Sequence, residues 1–185
     1  RADDADALYL QAKARHALGD NQAALAALAQ LRQIYPDNVF GLYLEGRCYQ
    51  AQGQIDAAVR QYRRALQLWP AYAAAYSQLG QCYVSKQQWQ PARETLTKAL
   101  TLDPAQASSY AYRAQALAAS GELDLASADW QQAIKYAPDN GDYWYGLGLL
   151  QQQRQKYARA LAAYQRAANL LKEERRSQAQ LRQGM

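Results

Sequence analysis

Residues 73–106 read AAAYSQLGQCYVSKQQWQPARETLTKALTLDPAQ, and this 34-residue segment is one period of the chain. The same interval separates four of the five prolines, Pro36, Pro70, Pro104 and Pro138. A fixed period of this size is the sequence signature of stacked repeats. Phasing the chain on these prolines predicts five units, at residues 5–38, 39–72, 73–106, 107–140 and 141–174, followed by a C-terminal extension over residues 175–185.

Each unit is predicted to be a helical hairpin, because two helical stretches flank a short polar break such as Gln52-Gly53-Gln54. The twentieth position of every unit is alanine, and the eighth is always Ala or Gly. Small side chains allow helix backbones to approach closely, and large apolar residues at the fourth and twenty-fourth positions can fill the remaining space. The pattern therefore predicts an all-α protein.

The period, together with Leu79-Gly80, Tyr83, Ala92 and Pro104 in the third unit, strongly resembles the tetratricopeptide repeat (TPR) family. The resemblance implies a right-handed α-solenoid, or superhelix, of five helix-turn-helix hairpins. It also implies one TPR array over residues 1–174, with residues 175–185 as a C-terminal helical extension.

The terminal units depart from the family pattern. Gln11 and Arg15 stand where Leu and Tyr are usual, and Gln151 stands in place of a Tyr. Polar residues suit the end units of a stack, whose outer surfaces have no neighbour.

One face of the first helix in each unit is expected to pack, and the opposite face is expected to line an inner, concave groove. Exposed aromatic residues on such a face indicate a binding site, although these rings could instead pack across the groove against neighbouring helices. The candidate partner-binding residues are Tyr9, Lys13, His16, Phe40, Tyr43, Leu44, Arg47, Gln78, Gln81, Tyr112, Gln115, Tyr145 and Gln152.

Residues for catalysis or metal binding are scarce. One histidine and two cysteines do not make a zinc site, and no phosphate-binding loop occurs, so we expect no metal, no cofactor and no enzyme activity. Cys48 and Cys82 occupy equivalent positions of adjacent units and are expected to be free core thiols, too far apart for a disulfide. His16, with no Ser or Cys at a matching helical position, is expected to hydrogen-bond to a partner.

The net charge of +5 comes mainly from the last unit and the extension. A solvated helix face explains this excess, and contact with an acidic partner or membrane surface is the alternative. The groove itself is nearly neutral, so we expect no nucleic-acid binding. No apolar run is long enough to cross a bilayer, so membrane contact is expected only through regions outside this stretch. The start at Arg1 suggests a piece of a longer protein.

The resemblance implies a non-enzymatic scaffold that holds a segment of another protein in its groove. Heavy use of Ala, Gln and Arg favours a bacterial origin. The resemblance to bacterial members of the family then implies an envelope or secretion assembly, in the cytoplasm or periplasm or tethered to a membrane. Two alternatives remain open: a carbohydrate-contacting module of polysaccharide export, and a regulatory TPR domain of a larger enzyme. The unpaired end surfaces of a stack also allow weak self-association. A clamp for a C-terminal carboxylate is disfavoured, because Lys13 and Arg47 are the only cations on the groove face.

Overall fold

A computed structural model describes the backbone of residues 2–183 and the side chains of residues 4–173. This part of the chain forms ten α-helices and no strand. The helices are α1 (Ala2–Ala17), α2 (Asn21–Ile34), α3 (Val39–Ala51), α4 (Ile55–Leu68), α5 (Ala73–Ser85), α6 (Trp89–Leu102), α7 (Ala107–Ala119), α8 (Leu123–Tyr136), α9 (Gly141–Gln153) and α10 (Tyr157–Gln183). The backbone of the expected extension continues α10, and its last residues, Gly184 and Met185, lie outside the described residues.

Two compact units divide the chain, Arg1–Leu102 with helices α1 to α6 and Asp103–Met185 with helices α7 to α10. The first unit contains the hairpins α1–α2, α3–α4 and α5–α6, in which α2 packs on α3 and α4 packs on α5. The second contains α7–α8 and α9–α10, in which α8 packs on α9. The all-α hairpin architecture is confirmed, and a single array over residues 1–174 stays a prediction.

Buried alanines mark the contact between the two helices of each hairpin. Ala24, Ala58, Ala92 and Ala126 are fully buried, and Ala160 is 4% exposed. Because these residues carry only a methyl group, the helix axes can approach closely and the neighbouring large side chains fill the remaining space.

The hairpin turns fall at the polar breaks of the sequence. Gly19, Gly53 and Gly121 have φ angles of 82°, 74° and 81° there, a left-handed conformation that glycine adopts without steric penalty. Gln87 and Gln155 adopt the same region, at 55° and 57°. The turn geometry is therefore common to all five hairpins, with or without a glycine.

The interpretation of Gln151 as an outward-facing end residue is wrong. Its side chain is 6% exposed, and its amide nitrogen lies 3.5 Å from Oγ of Ser127 on α8. Gln151 faces the preceding hairpin of the second unit, because α9 packs on α8. The polar residue therefore lies in the packed interior of that unit.

Candidate functional site

An aromatic cluster of the first unit consists of Tyr9, Phe40, Tyr43, Trp69 and Tyr72. The ring of Phe40 has its centroid 6.4 Å from that of Tyr9, and 6.0 Å from those of both Trp69 and Tyr72. Trp69 and Tyr72 stack with centroids 4.7 Å apart, and Tyr43 lies 5.0 Å from Tyr72. These separations are typical of favourable aromatic pairs. The rings therefore hold one another in place.

The cluster leaves an apolar surface open. Phe40 is 50% exposed and Trp69 is 41% exposed, while the three tyrosines are partly buried. Burial raises the pKa of the Tyr43 and Tyr72 hydroxyls, so both remain neutral hydrogen-bond donors at physiological pH. A ligand would therefore meet two open ring surfaces beside uncharged hydroxyl groups.

Two members of the cluster, Trp69 and Tyr72, were missed by the sequence analysis. They lie on the connection between α4 and α5, whereas all the predicted residues lie on the first helix of a repeat. Tyr72 is the N-cap residue of α5 and makes no side-chain cap hydrogen bond. Asn38 and Asn140, at the equivalent position of two other repeats, accept cap hydrogen bonds from Gly41 and Asp142. An aromatic residue at a capping position is the signal that could have identified it.

Two cations lie on helices that also carry residues of the aromatic cluster, and neither has an acidic partner among the described residues of the first unit. Lys13 on α1 and Arg47 on α3 are exposed, and neither forms an ion pair with a described residue. The positive charge of Arg47 acts on both Tyr43 and Tyr72, where it partly offsets the effect of burial on their pKa. Arg47 therefore places a positive charge beside the aromatic cluster.

Leu44 was predicted to line the groove, and this is wrong. Its side chain is 3% exposed and belongs to a core cluster with Ala12, Leu28 and Cys48. The hairpin α1–α2 covers this side of α3, so the accessible face of α3 is narrower than the helical pattern predicts. Gln78 and Gln81, on α5, are partly buried and lie outside the aromatic cluster.

The side chain of His16 has a hydrogen-bond partner within its own hairpin, and its predicted hydrogen bond to a partner protein stays a prediction. Its Nδ1 lies 2.6 Å from Oδ1 of Asn21, so this nitrogen donates to the amide oxygen. The thiol of Cys48, which the sequence did not place near it, lies 3.7 Å from the same nitrogen. The imidazole is therefore engaged at one nitrogen by its own hairpin.

The cysteines are buried, free thiols, as expected. Burial raises the pKa of Cys48 to about 11 and that of Cys82 to about 12. A thiol with such a pKa is a poor nucleophile at neutral pH. Among the side chains that the structure describes, no group of His, Cys, Asp and Glu could hold a metal ion.

The second unit carries an open cleft of about 530 Å³, which we call the α7–α9 cleft. Tyr145 and Leu149 on α9 are 52% and 48% exposed and form its apolar wall. The ring of Trp130 lies behind Gly146, where an added Cβ would stand 2.4 Å from Cη2 of the indole. The cleft is lined by Gln115, Ala118, Trp130, Asp142, Tyr145, Gly146, Leu149, Leu150 and Gln153.

The predicted residues of the second unit fall into two groups. Gln115 and Tyr145 line the α7–α9 cleft, but Tyr112 and Gln152 do not. Tyr112 is partly buried, and Gln152 accepts a hydrogen bond of 2.7 Å from the Tyr164 hydroxyl. Only half of this predicted set therefore shares one surface.

The hairpin architecture, the aromatic cluster and the α7–α9 cleft define a class of protein. It is that of α-helical repeat proteins whose hairpins carry solvent-exposed apolar side chains. Family models place the chain within that class. A model described as TPR repeat matches residues 46–87, and models described as tetratricopeptide repeat match residues 6–38, 73–106 and 113–182. The chain belongs to the tetratricopeptide repeat family, an all-α solenoid fold, and the predicted resemblance is confirmed.

Solved structures of similar fold include MamA from Desulfovibrio magneticus RS-1, at 20% identity and a TM-score of 0.80, covering 92% of this chain and 97% of that one. TTC0263 from Thermus thermophilus has 22% identity and a TM-score of 0.75, covering 90% and 91%. YrrB, a TPR protein with an unusual peptide-binding site, has 19% identity and a TM-score of 0.69, covering 88% and 84%. At these identities the likeness shows the fold alone.

No curated protein matches this sequence. Among the described residues, no helix combines the length and apolar character that a bilayer crossing requires.

Proposed function

We propose that this chain is a non-enzymatic scaffold that holds a segment of a partner protein against the aromatic cluster of its first unit. The observation that carries the proposal is the pair of half-exposed rings, Phe40 and Trp69, held in a packed group of five. Exposed aromatic side chains on a rigid support are typical anchors of protein interfaces. The TPR fold agrees with this role, since proteins of this family generally bind protein or peptide partners.

The chemistry of the site favours a partner segment with two features. A proline, aliphatic or aromatic side chain would bury the open faces of Phe40 and Trp69, because these surfaces are apolar. An aspartate or glutamate beside it would pair with Arg47 or Lys13, the cations without an acidic partner in the described unit. A few such contacts, less the entropy lost on association, correspond to affinities in the micromolar range.

A displayed library of random peptides, selected against the whole chain, tests this proposal. We expect the recovered sequences to share an apolar or proline residue next to an acidic one. Phe40→Ser should weaken their binding about tenfold or more, because an aromatic anchor is lost. Leu18→Ser is the control, since Leu18 is 85% exposed and lies outside the cluster.

A second pair of variants tests the charge. Arg47→Gln should weaken the acidic peptides about threefold to tenfold, whereas Arg60→Gln on α4 should leave them unchanged. Selected peptides that bind both the Phe40 and the Arg47 variants as tightly as the unaltered chain would contradict the proposed site.

The biological setting we propose is a bacterial envelope or secretion assembly. Composition and the bacterial sources of two similar folds, Desulfovibrio magneticus RS-1 and Thermus thermophilus, favour the bacterial part of this proposal, and the envelope or secretion part rests on the family resemblance. Recovery of such an assembly by affinity capture, and its loss with Phe40→Ser, would test the setting.

A carbohydrate-contacting role is the second candidate. The Trp69 ring stacks on Tyr72 with an interplanar angle of 17° and is still 41% exposed, and sugar rings commonly stack on exposed indole rings. Titration with polysaccharide fragments, followed by tryptophan fluorescence and compared with Trp69→Ala, separates this role from peptide binding. Absence of a response to the fragments would remove it.

A further inference from the structure

The α7–α9 cleft of the second unit has an apolar wall that faces solvent. Tyr145 and Leu149 lie one helical turn apart on α9 and are each about half exposed. Gly146 between them brings the backbone of α9 against the ring of Trp130, since any side chain there would overlap the indole. The Trp130 ring and the α9 backbone at Gly146 therefore form the floor of the cleft, and Tyr145 and Leu149 form its apolar wall. The cleft has a volume of about 530 Å³. Sites for ligand groups commonly have this size.

The charge of this cleft is negative. Asp142 is the single carboxylate among its lining residues, and no Lys or Arg lines it. The other lining residues with polar side-chain groups, Gln115, Gln153, Tyr145 and Trp130, are uncharged. Asp142 is exposed and forms no ion pair with a described residue. By contrast, the two aspartates of α8, Asp124 and Asp129, are paired with arginines. A carboxylate beside an apolar wall can pair with a cation that a ligand brings.

We propose that the α7–α9 cleft binds a partner segment in which a bulky apolar side chain stands next to a lysine or arginine. The apolar side chain covers Tyr145 and Leu149, and the cation pairs with Asp142 while remaining close to the Tyr145 ring, whose face also attracts cations. This proposal extends the proposed function to a second site. Its preference is opposite in charge to that of the aromatic cluster, where Arg47 and Lys13 favour acidic segments.

Two capped hexapeptides test the charge preference on the whole chain: Gly-Lys-Phe-Lys-Gly-Gly and the matched Gly-Glu-Phe-Glu-Gly-Gly. Binding is followed by the NMR resonances of the Gly146 backbone amide and the Gln115 side-chain amide. We expect the lysine peptide to move both resonances and to bind about three to five times more tightly than the glutamate peptide. Asp142→Asn should abolish that difference. Asp139→Asn, which removes the same charge three residues away and outside the cleft, should retain it.

A matched pair of leucine variants tests the apolar wall. Leu149→Gln should weaken the lysine peptide about tenfold, because its phenyl ring loses apolar contact. Leu125→Gln should not, since Leu125 is 56% exposed on α8 but does not line the cleft. Equal binding of the two peptides, unmoved resonances, or equal effects of the matched variants would each overturn the proposal.

The proposal for the α7–α9 cleft and the proposed function can be refuted independently of each other. Phe40→Ser should leave the lysine peptide's affinity unchanged, because Phe40 does not line the α7–α9 cleft. If Phe40→Ser abolished binding of this peptide, the aromatic cluster would be its site and the inference about the α7–α9 cleft would be wrong, while the proposed function would stand.

Discussion

The ring of Tyr62 lies directly over Gly46, and a Cβ added to Gly46 would stand 2.5 Å from Cε1 of that ring. Tyr62 cannot move aside easily, because it is fully buried and its hydroxyl donates a hydrogen bond of 2.9 Å to Gln50. Glycine is therefore required at this position by close packing within the hairpin α3–α4.

Gly46→Ala should lower the free energy of unfolding by about 1–2 kcal/mol, because overpacking costs more than the gain of about 1 kcal/mol in helix propensity. Urea denaturation measures the change. Gly41→Ala in the same helix is the control and should cost less, since the nearest atom there is the end of the Leu31 side chain at 3.2 Å. The double variant Gly46→Ala and Tyr62→Leu reproduces the Ala12 and Leu28 pair of the first repeat. Its loss of unfolding free energy should be smaller than the sum of the losses of the two single variants.

The carboxylate of Asp129 is held by Arg113 at two points, with Nε–Oδ2 and Nη2–Oδ1 distances of 2.7 and 2.8 Å. This hydrogen bonding raises the pKa of the Arg113 guanidinium. Because Asp129 is only 6% exposed, Arg113→Met would leave a buried charge without its cation. We expect a loss of about 3 kcal/mol in unfolding free energy.

Arg154→Met provides the comparison within the same unit. The side chain of its partner Asp124 is 90% exposed, so loss of this ion pair should lower the free energy of unfolding by less than about 1 kcal/mol. The double variant Arg113→Met and Asp129→Leu should recover much of the stability, because no buried charge remains. Chemical denaturation of the four proteins decides the matter, and equal effects of the two arginine variants would contradict the account.

The two buried thiols make stability depend on alkaline pH. Burial raises their pKa to about 11 for Cys48 and about 12 for Cys82, compared with about 8.5 in an unfolded chain. Above pH 8.5 the unfolded state therefore binds fewer protons than the folded state, and stability falls as pH rises. The loss should be on the order of 1–2 kcal/mol for each thiol by pH 10.

Denaturation at pH 7.5 and pH 10 tests this sign. The double variant Cys48→Ala and Cys82→Ala should lose less stability between the two pH values than the unaltered chain, whatever its stability at neutral pH. Alanine is a suitable replacement, since Ala14 and Ala116 occupy the same position in two other repeats. A steeper alkaline loss in the variant would be inconsistent with protonated core thiols.

The sequence predicted the hairpins well because small and large residues recur at fixed positions of each repeat, and these residues determine how its two helices pack. Side-chain accessibility was harder to predict. Leu44 lies on the expected open face, yet the preceding hairpin covers it. The helical period describes one helix, and it contains no information on how far a neighbouring hairpin extends across it.

The aromatic cluster shows that the helical pattern also misses residues that contribute to an exposed site. Phe40 and Tyr43 could be predicted from the helical pattern, but Trp69 and Tyr72 lie on a connection between hairpins, where that pattern does not apply. Only the folded chain brings these residues together. The α7–α9 cleft likewise depends on Trp130, a core residue of the second helix whose ring reaches Gly146 of the next hairpin.

Tyr72 provides a test of whether its ring serves binding in addition to the fold. Since it occupies the N-cap of α5 without capping it, Tyr72→Asn exchanges ring contacts for a cap hydrogen bond like that of Asn38. Tyr72→Ala loses the ring and gains no cap. We expect the asparagine variant to be about 1 kcal/mol more stable than the alanine variant, because that is the usual value of an Asn cap.

Binding should not follow stability in this pair. Both variants lack the ring that stacks on Trp69, so both should weaken an acidic, aromatic-bearing peptide by a similar factor, about fivefold to tenfold. Urea denaturation gives the difference in stability, and calorimetric titration with a selected peptide gives the difference in affinity. If the asparagine variant recovered affinity together with stability, Tyr72 would act by ordering the start of α5, and its ring would have no direct part in binding.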